Sequence, residues 1–184
     1  MSENKNRVSH AQEFARNAHE SLFDITVGGV TRPRIVHIQE VADLVWASGG
    51  SDEEIIAAWL HDVVEDTPIT MKDIENEFGK EVAEIVHGLT DPEQFKDLPL
   101  AERKKKQMER IRTENKSVRR VKIADQTSNI RFIAIDPPSS MTLEECPIYI
   151  KGAKLITDEC RGISPLLDNL FDEFYKKGLM RYEA

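Results

Sequence analysis

Between positions 61 and 66 the chain reads His-Asp-Val-Val-Glu-Asp, four ionisable side chains in six residues. An imidazole set among carboxylates can hold a divalent cation, move protons, or do both. On a helical wheel of about 100° per residue with His61 at the origin, Glu65 falls near ~40°, Asp62 near ~100° and Asp66 near ~140°, so the four share one arc. The opposite arc carries Ile56, Ala57, Leu60, Val63 and Val64. One turn earlier the polar arc is filled by Ile55, Ala58 and Trp59, so the helix is apolar almost all round where it begins and belongs in the core. Its carboxylates also oppose the helix dipole, which disfavours negative charge at a C-terminus. Crowded, desolvated carboxylates repel unless they are paired or coordinated, and a metal ion meets that need. The plain alternative, a histidine capping the core while acids reach water at a fraying end, fits a lone His-Asp pair better than a cluster that continues for another turn.

Further ligands must come from other helices. His37 opens a second helix, and Asp125 lies in an otherwise apolar and basic one, with Lys122 at i−3 and Asn129 at i+4 on its face. Read singly, His37 could cap its helix and Asp125 could pair with Lys122 or Arg131. Histidines 10, 19 and 87 are also present, and spacing does not choose among them.

Apolar residues recurring at three- and four-residue steps predict the elements that carry these groups. Helices are expected over 7–22, 35–47, from an Asp52 N-cap to about Glu65, over 71–78 capped by Thr70, then 80–89, 100–114 and 117–135. Two more are expected near 142–160, interrupted around Pro147, and 165–177. Asp24–Pro33, with Gly28 and Gly29, reads as a loop holding a short extended hairpin. The expectation is an all-α helical bundle forming one domain over 1–184.

The 184 residues include 25 Lys+Arg and 33 Asp+Glu, a formal charge of −8, with 40% hydrophobic and 32% charged residues. A chain of this length buries a full core without disulfides or structural metal. Composition excludes disordered, collagen-like and disulfide-scaffold classes. No apolar run reaches the length of a membrane span, and the amino terminus has no apolar signal core, so no membrane association and a cytoplasmic location are expected. Cys146 and Cys160 have no metal-ligand or redox spacing and read as reduced, incidental thiols. The acidic total disfavours long nucleic acids. Yet residues 103–122 hold ten basic side chains and two acids, a local +8 against −16 elsewhere. That run reads either as a solvated helix face or as a rim that attracts phosphates.

The run His61-Asp62-Val63-Val64-Glu65-Asp66-Thr67 resembles the HDxVEDT motif of the HD-superfamily hydrolases that remove the 3′-pyrophosphate of guanosine tetraphosphate, (p)ppGpp. Pro33-Arg34-Ile35-Val36-His37 with Val41-Ala42, then Phe78-Gly79-Lys80-Glu81-Val82, then Lys122-Ile123-Ala124-Asp125 with Asn129 and Arg131 follow in the family's order, so the resemblance covers about residues 7–135. The helices over 142–178 rest on periodicity alone. The resemblance implies an HD-domain fold and a divalent metal, Mn²⁺ for preference, bound by His37, His61, Asp62 and Asp125. It implies Glu65 and Asp66 at the catalytic centre, and Lys122, Asn129, Arg34 and Arg131 as contacts to a small phosphorylated nucleotide. It also implies a stand-alone hydrolase with no synthetase half. One departure stands out: Phe23-Asp24-Ile25-Thr26 occupies the place of the family's basic loop, so Asp24 repels a polyphosphate unless Arg32 or Arg34 takes over. Two other functions therefore stay open, the same chemistry on another nucleotide or phosphorylated metabolite, and a non-catalytic nucleotide sensor. The first is favoured by the altered loop; the second is disfavoured by the intact ligand set.

Overall fold

A computed structural model describes residues 2–182, so the expected domain limits at 1 and 183–184 lie outside it. Among the described residues the chain is helical apart from one hairpin and short loops. The order is α1 (Ser2–Ala18), β1 (Phe23–Ile25), β2 (Thr31–Pro33), α2 (Arg34–Ala47), α3 (Asp52–Leu60), α4 (Val63–Asp66), α5 (Met71–Phe78), α6 (Lys80–Leu89), α7 (Leu100–Ile111), α8 (Lys116–Ile135), α9 (Glu145–Asp158) and α10 (Pro165–Tyr182), with a 3₁₀ turn at Glu93–Phe95 before α7. The all-α expectation holds, and no helix is long and apolar enough to cross a membrane.

α8 is the central strut, packed against α2, α3, α6, α9 and α10. Ile38, Val41, Ile56, Leu60, Val86, Val121 and Ile123 interlock around its first half. Around its second half, Ile130 and Ile133 meet Cys146, Ile150 and Phe171. Both cysteines are buried, and burial pushes the Cys160 thiol up to about 12, which keeps it an unreactive apolar filler.

Several boundaries differ from expectation, each for a local reason. α1 stops at Ala18 rather than 22, because Leu22 leaves the helix to accept the Arg34 N–H (2.9 Å) at the base of the hairpin. The cap of α3 is Ser51, not Asp52. Its hydroxyl accepts from the Glu54 N–H while the Glu54 carboxylate accepts from the Ser51 N–H, a closed capping box. α9 is not interrupted at Pro147, which sits in the first helical turn where no N–H partner is required. α10 continues past 177 to Tyr182, whose hydroxyl donates to the Ile133 carbonyl (2.6 Å).

The hairpin pairs Phe23 with Pro33, Asp24 with Arg32 and Ile25 with Thr31, around a turn where Gly29 has φ +78°, a region disfavoured for residues with a Cβ. It is docked on the loop after α8. The Gly28 N–H donates to Asp136 (2.9 Å), the Val27 N–H to the Pro137 carbonyl (2.9 Å), and the Ser139 N–H to the Ile25 carbonyl (2.7 Å).

Candidate active site

The expected third helix breaks at the motif itself, between α3 and α4. His61 Nδ1 lies 2.7 Å from the Ala58 carbonyl oxygen. That oxygen would otherwise accept the backbone N–H of residue 62, so the imidazole takes its place and α3 ends at Leu60. The carbonyl can only accept, which puts the ring proton on Nδ1 and leaves the Nε2 lone pair facing inward. α4 restarts one turn later and turns Glu65 and Asp66 into the same cleft.

His37, on α2, is fixed the same way by different groups. Ser128 Oγ donates to Glu40 (2.8 Å) and so accepts from His37 Nδ1 at 3.0 Å. Its Nε2 is likewise a lone pair, 3.3 Å from that of His61. Two lone pairs aimed at one point repel unless positive charge lies between them. Asp62 and Asp125 complete the ring, with Asp62 oxygens 3.3 Å from His61 Nε2 and 3.9 Å from His37 Nε2, and Asp125 Oδ1 3.5 Å from His37 Nε2 and 4.0 Å from that of His61. The ligand atoms of His37, His61 and Asp62 lie within 4.8 Å of one another, Asp125 stands beside both imidazoles, and these ligand types fit a borderline divalent ion.

The electrostatics agree. Burial works against charge on His37, but the bond from Asp125 and the charge of Asp62 raise its pKa, so a proton is drawn in where a cation belongs. Burial alone would neutralise Asp125 (5% exposed), yet Lys122 and the imidazoles hold it well below the usual carboxylate range. Asp125 also accepts from Gln126 (2.9 Å), Lys122 (3.1 Å) and Asn129. Glu65 goes the other way. Desolvation first, then repulsion from Asp62, pushes its carboxyl up to about 7, while one of its oxygens accepts the Asp91 N–H at 2.7 Å. A cation in the ring opposes the Asp62 part of that shift. Asp66 is raised by the same two causes and opposed by Arg34, whose Nε is 3.3 Å away.

His37, His61, Asp62, Glu65, Asp66, Asp125, Lys122, Asn129 and Arg34 all line one cleft of about 300 Å³. Arg131 does not. It turns away from the cleft to hold Glu40 (2.9 Å) behind Ser128, and the expectation that it touches substrate is corrected to a supporting position. Of the other histidines, His10 pairs with Glu77 on the surface, His87 is exposed, and His19 is buried beside Asp66 outside the ring. A larger hollow of about 540 Å³ lies on another face of α2 among Val8, Trp46, Ile55 and Trp59, but among the described residues no imidazole or cation lines it.

Sequence reasoning missed the wall opposite the motif. Arg103, Lys104 and Gln107 from α7, Gln126 from α8 and Tyr149 from α9 line the same cleft. The basic run signalled α7 without saying which of its cations face inward; nothing singled out Tyr149. Lys104 is only 2% exposed. Its stem lies in a notch at Gly152, where a Cβ would come within 2.5 Å of Lys104 Cγ. Its ammonium sits 3.6 Å from the centre of the Tyr149 ring and 3.0 Å from Gln126 Oε1, and burial pushes its pKa down to about 7. Two side chambers open off the cleft. One of about 330 Å³ runs past Asn129 to Arg32, Arg34, Phe132, Pro138 and Met141, and one of about 180 Å³ lies behind Glu65. Asp24, the departure noted in the loop, is flanked there by Arg32 across the hairpin and by Arg34 at 3.7 Å, so its charge is answered.

Known proteins are similar to this chain in sequence and in fold. The sequence profile of the HD domain matches residues 11–148. A Drosophila melanogaster protein named guanosine-3′,5′-bis(diphosphate) 3′-pyrophosphohydrolase MESH1 is 32% identical over 151 residues, covering 80% of this chain and 83% of that one. The Escherichia coli bifunctional (p)ppGpp synthase/hydrolase SpoT is 36% identical over 137 residues, 69% of this chain and 18% of the longer protein. A solved structure described as a metazoan ortholog of SpoT that hydrolyses ppGpp superimposes with a TM-score of 0.83 at 27% identity, covering 93% of this chain and 94% of that chain. The profile matches most of its length, and the chain belongs to the HD domain family.

Proposed function

We propose that this protein is a metal-dependent phosphohydrolase that removes the 3′-diphosphate of guanosine tetraphosphate as pyrophosphate, leaving GDP. The observation that carries the reading is the inward-facing pair of Nε2 lone pairs, ringed by Asp62 and Asp125, with Glu65 in the same polar cleft. The names of the similar hydrolases support the same substrate.

In this reading His37, His61, Asp62 and Asp125 hold the ion, Mn²⁺ by preference. When bound, the ion supplies a Lewis acid that polarises a phosphoryl oxygen and makes water a better nucleophile. Water oxygen joins the phosphorus attached to the ribose 3′-oxygen, and the bond from that phosphorus to the 3′-oxygen breaks. Glu65 takes the proton of the attacking water and returns it to the departing 3′-oxygen, a two-way role suited to a carboxyl whose pKa lies near the working pH. The Asp91 N–H holds Glu65 in place for it. Asp66 keeps Arg34 turned toward the cleft. Lys122, bonded to Asp125, and Asn129 face the scissile phosphate, while the larger chamber, with Phe132, Met141 and the flanking arginines, takes the nucleoside.

Because Asp24 lines that nucleoside chamber, a second reading keeps the chemistry and changes the nucleotide. One assay separates them. The Mn²⁺-loaded protein is offered ppGpp and a panel of nucleotides and cofactor phosphates, and pyrophosphate is scored against orthophosphate. Pyrophosphate and GDP from ppGpp are expected; no pyrophosphate from ppGpp, with turnover of another compound, overturns the substrate assignment.

A further inference from the structure

The chamber behind Glu65 has a charge pattern unlike that of the rest of the cleft. In the central cleft Arg34 is answered by Asp66 and Asp24 and Lys122 by Asp125, and in the larger chamber Arg32 lies over the Phe132 ring. Arg103 is not answered. It lines the central cleft and both side chambers, and among the described residues its guanidinium has no hydrogen-bond or ion-pair partner. Lys104 beside it is buried with a ring and an amide oxygen for company but no carboxylate, which leaves ammonium hydrogens for an incoming anion. The two acids of the chamber are engaged, Asp91 by Gln107 and Glu65 by the Asp91 N–H. Two unanswered cations therefore face a space of about 180 Å³, roughly half the volume of the chamber with the apolar lining.

We propose that this small chamber receives the outer phosphate of the substrate's diphosphate group, with Arg103 and Lys104 as its cations, and so makes the site select a diphosphate over a monophosphate. The proposal rests on the phosphohydrolase reading and adds a determinant of what is removed. A guanidinium grips two phosphate oxygens at once, and an ammonium held by its stem supplies a fixed point charge. Arg103 touches all three spaces, which lets it reach both the inner and the outer phosphate, while the nucleoside takes the larger chamber past Asn129.

Equilibrium binding tests it without turnover. In the metal-loaded Glu65→Gln protein, whose amide oxygen still accepts the Asp91 N–H, calorimetry compares guanosine 5′-diphosphates carrying a 3′-diphosphate or a 3′-monophosphate. The 3′-diphosphate is expected to bind at least about tenfold tighter, the scale of one charge-assisted contact. Adding Arg103→Gln is expected to cut that preference below about threefold by weakening only the diphosphate, with Arg103→Lys restoring part of it. Lys104→Met, which keeps the stem in the Gly152 notch, is expected to act in the same direction. A preference that survives both variants, or an equal loss for both nucleotides, overturns the chamber proposal alone. A wild-type protein that hydrolyses neither nucleotide overturns the functional reading and the chamber with it.

Discussion

The two walls of the cleft are built on opposite plans. On the motif wall the metal-facing groups are anchored from behind: Asp125 by three donors, His61 by a backbone carbonyl, and His37 by a hydroxyl backed in turn by Glu40 and Arg131. On the α7 wall Arg103 is held by no other described residue and Lys104 by a ring and an amide. Such anchoring preorganises charge where the reaction needs it, while loosely held cations can conform to whatever anion arrives. The chemistry of this fold is thus rigidly specified and its substrate is the adjustable part.

That contrast can be broken most forcefully on the rigid side. Asp62→Ala is expected to remove both ion and activity; full metal occupancy by elemental analysis in that variant would show that Asp62 is not a ligand. Glu65→Gln comes next, keeping the metal content while lowering kcat by roughly 10²- to 10⁴-fold, the usual worth of a positioned acid–base group. Parallel losses of metal and turnover would move Glu65 into the ligand set. Ser128→Ala strips the hydroxyl that fixes the His37 tautomer, and metal affinity measured by competition with a chelator is expected to fall about 10- to 100-fold. An unchanged affinity would mean that the bonds behind His37 are ornamental.

The smallest effect is on stability. In the metal-free protein the Glu65 carboxyl titrates near 7 instead of 4.5, so the folded state holds the proton more tightly than the unfolded chain. Its stabilising contribution is full below about pH 4.5 and is lost as pH rises through about 7. The denaturation midpoint of the metal-free protein is therefore expected to decline across that window. Glu65→Gln should flatten the decline, and saturating metal should shrink it; identical slopes in all three would remove Glu65 as the cause.

The motif wall was legible in the sequence because its anomaly is local: carboxylates crowded on a helix whose preceding turn, Ile55–Leu60, is wholly apolar leave few physical excuses. His37 and Asp125 were legible only as candidates among several, and the family resemblance singled them out. The hairpin was readable from its glycines and the cap of α5 from Thr70, whereas the Asn115 cap of α8 was not read. The break after Leu60 was not, since periodicity carries no record of a side chain displacing a backbone donor. Arg131 was misplaced although the helix geometry points against it: six residues beyond Asp125 it lies about 240° around α8, whereas Asn129 lies about 40° away. The α7 wall stayed hidden for a different reason. Ten cations in one run look alike until the neighbours of each are known, and Arg120, buried against Glu54 at 3.0 Å, shows that some are there for the core.

Gly152 gives the missing side chain a wider meaning. The stem of Lys104 lies against α9 only because position 152 has no Cβ, and the ring under its ammonium, Tyr149, comes from the same helix. α9 lies beyond the stretch that carries the hydrolase motifs, yet it sets both the depth and the charge of the chamber across from them. A change in that one helix would therefore reshape what the cleft accepts while leaving the motif residues untouched, with the motif as engine and α9 as its fitting.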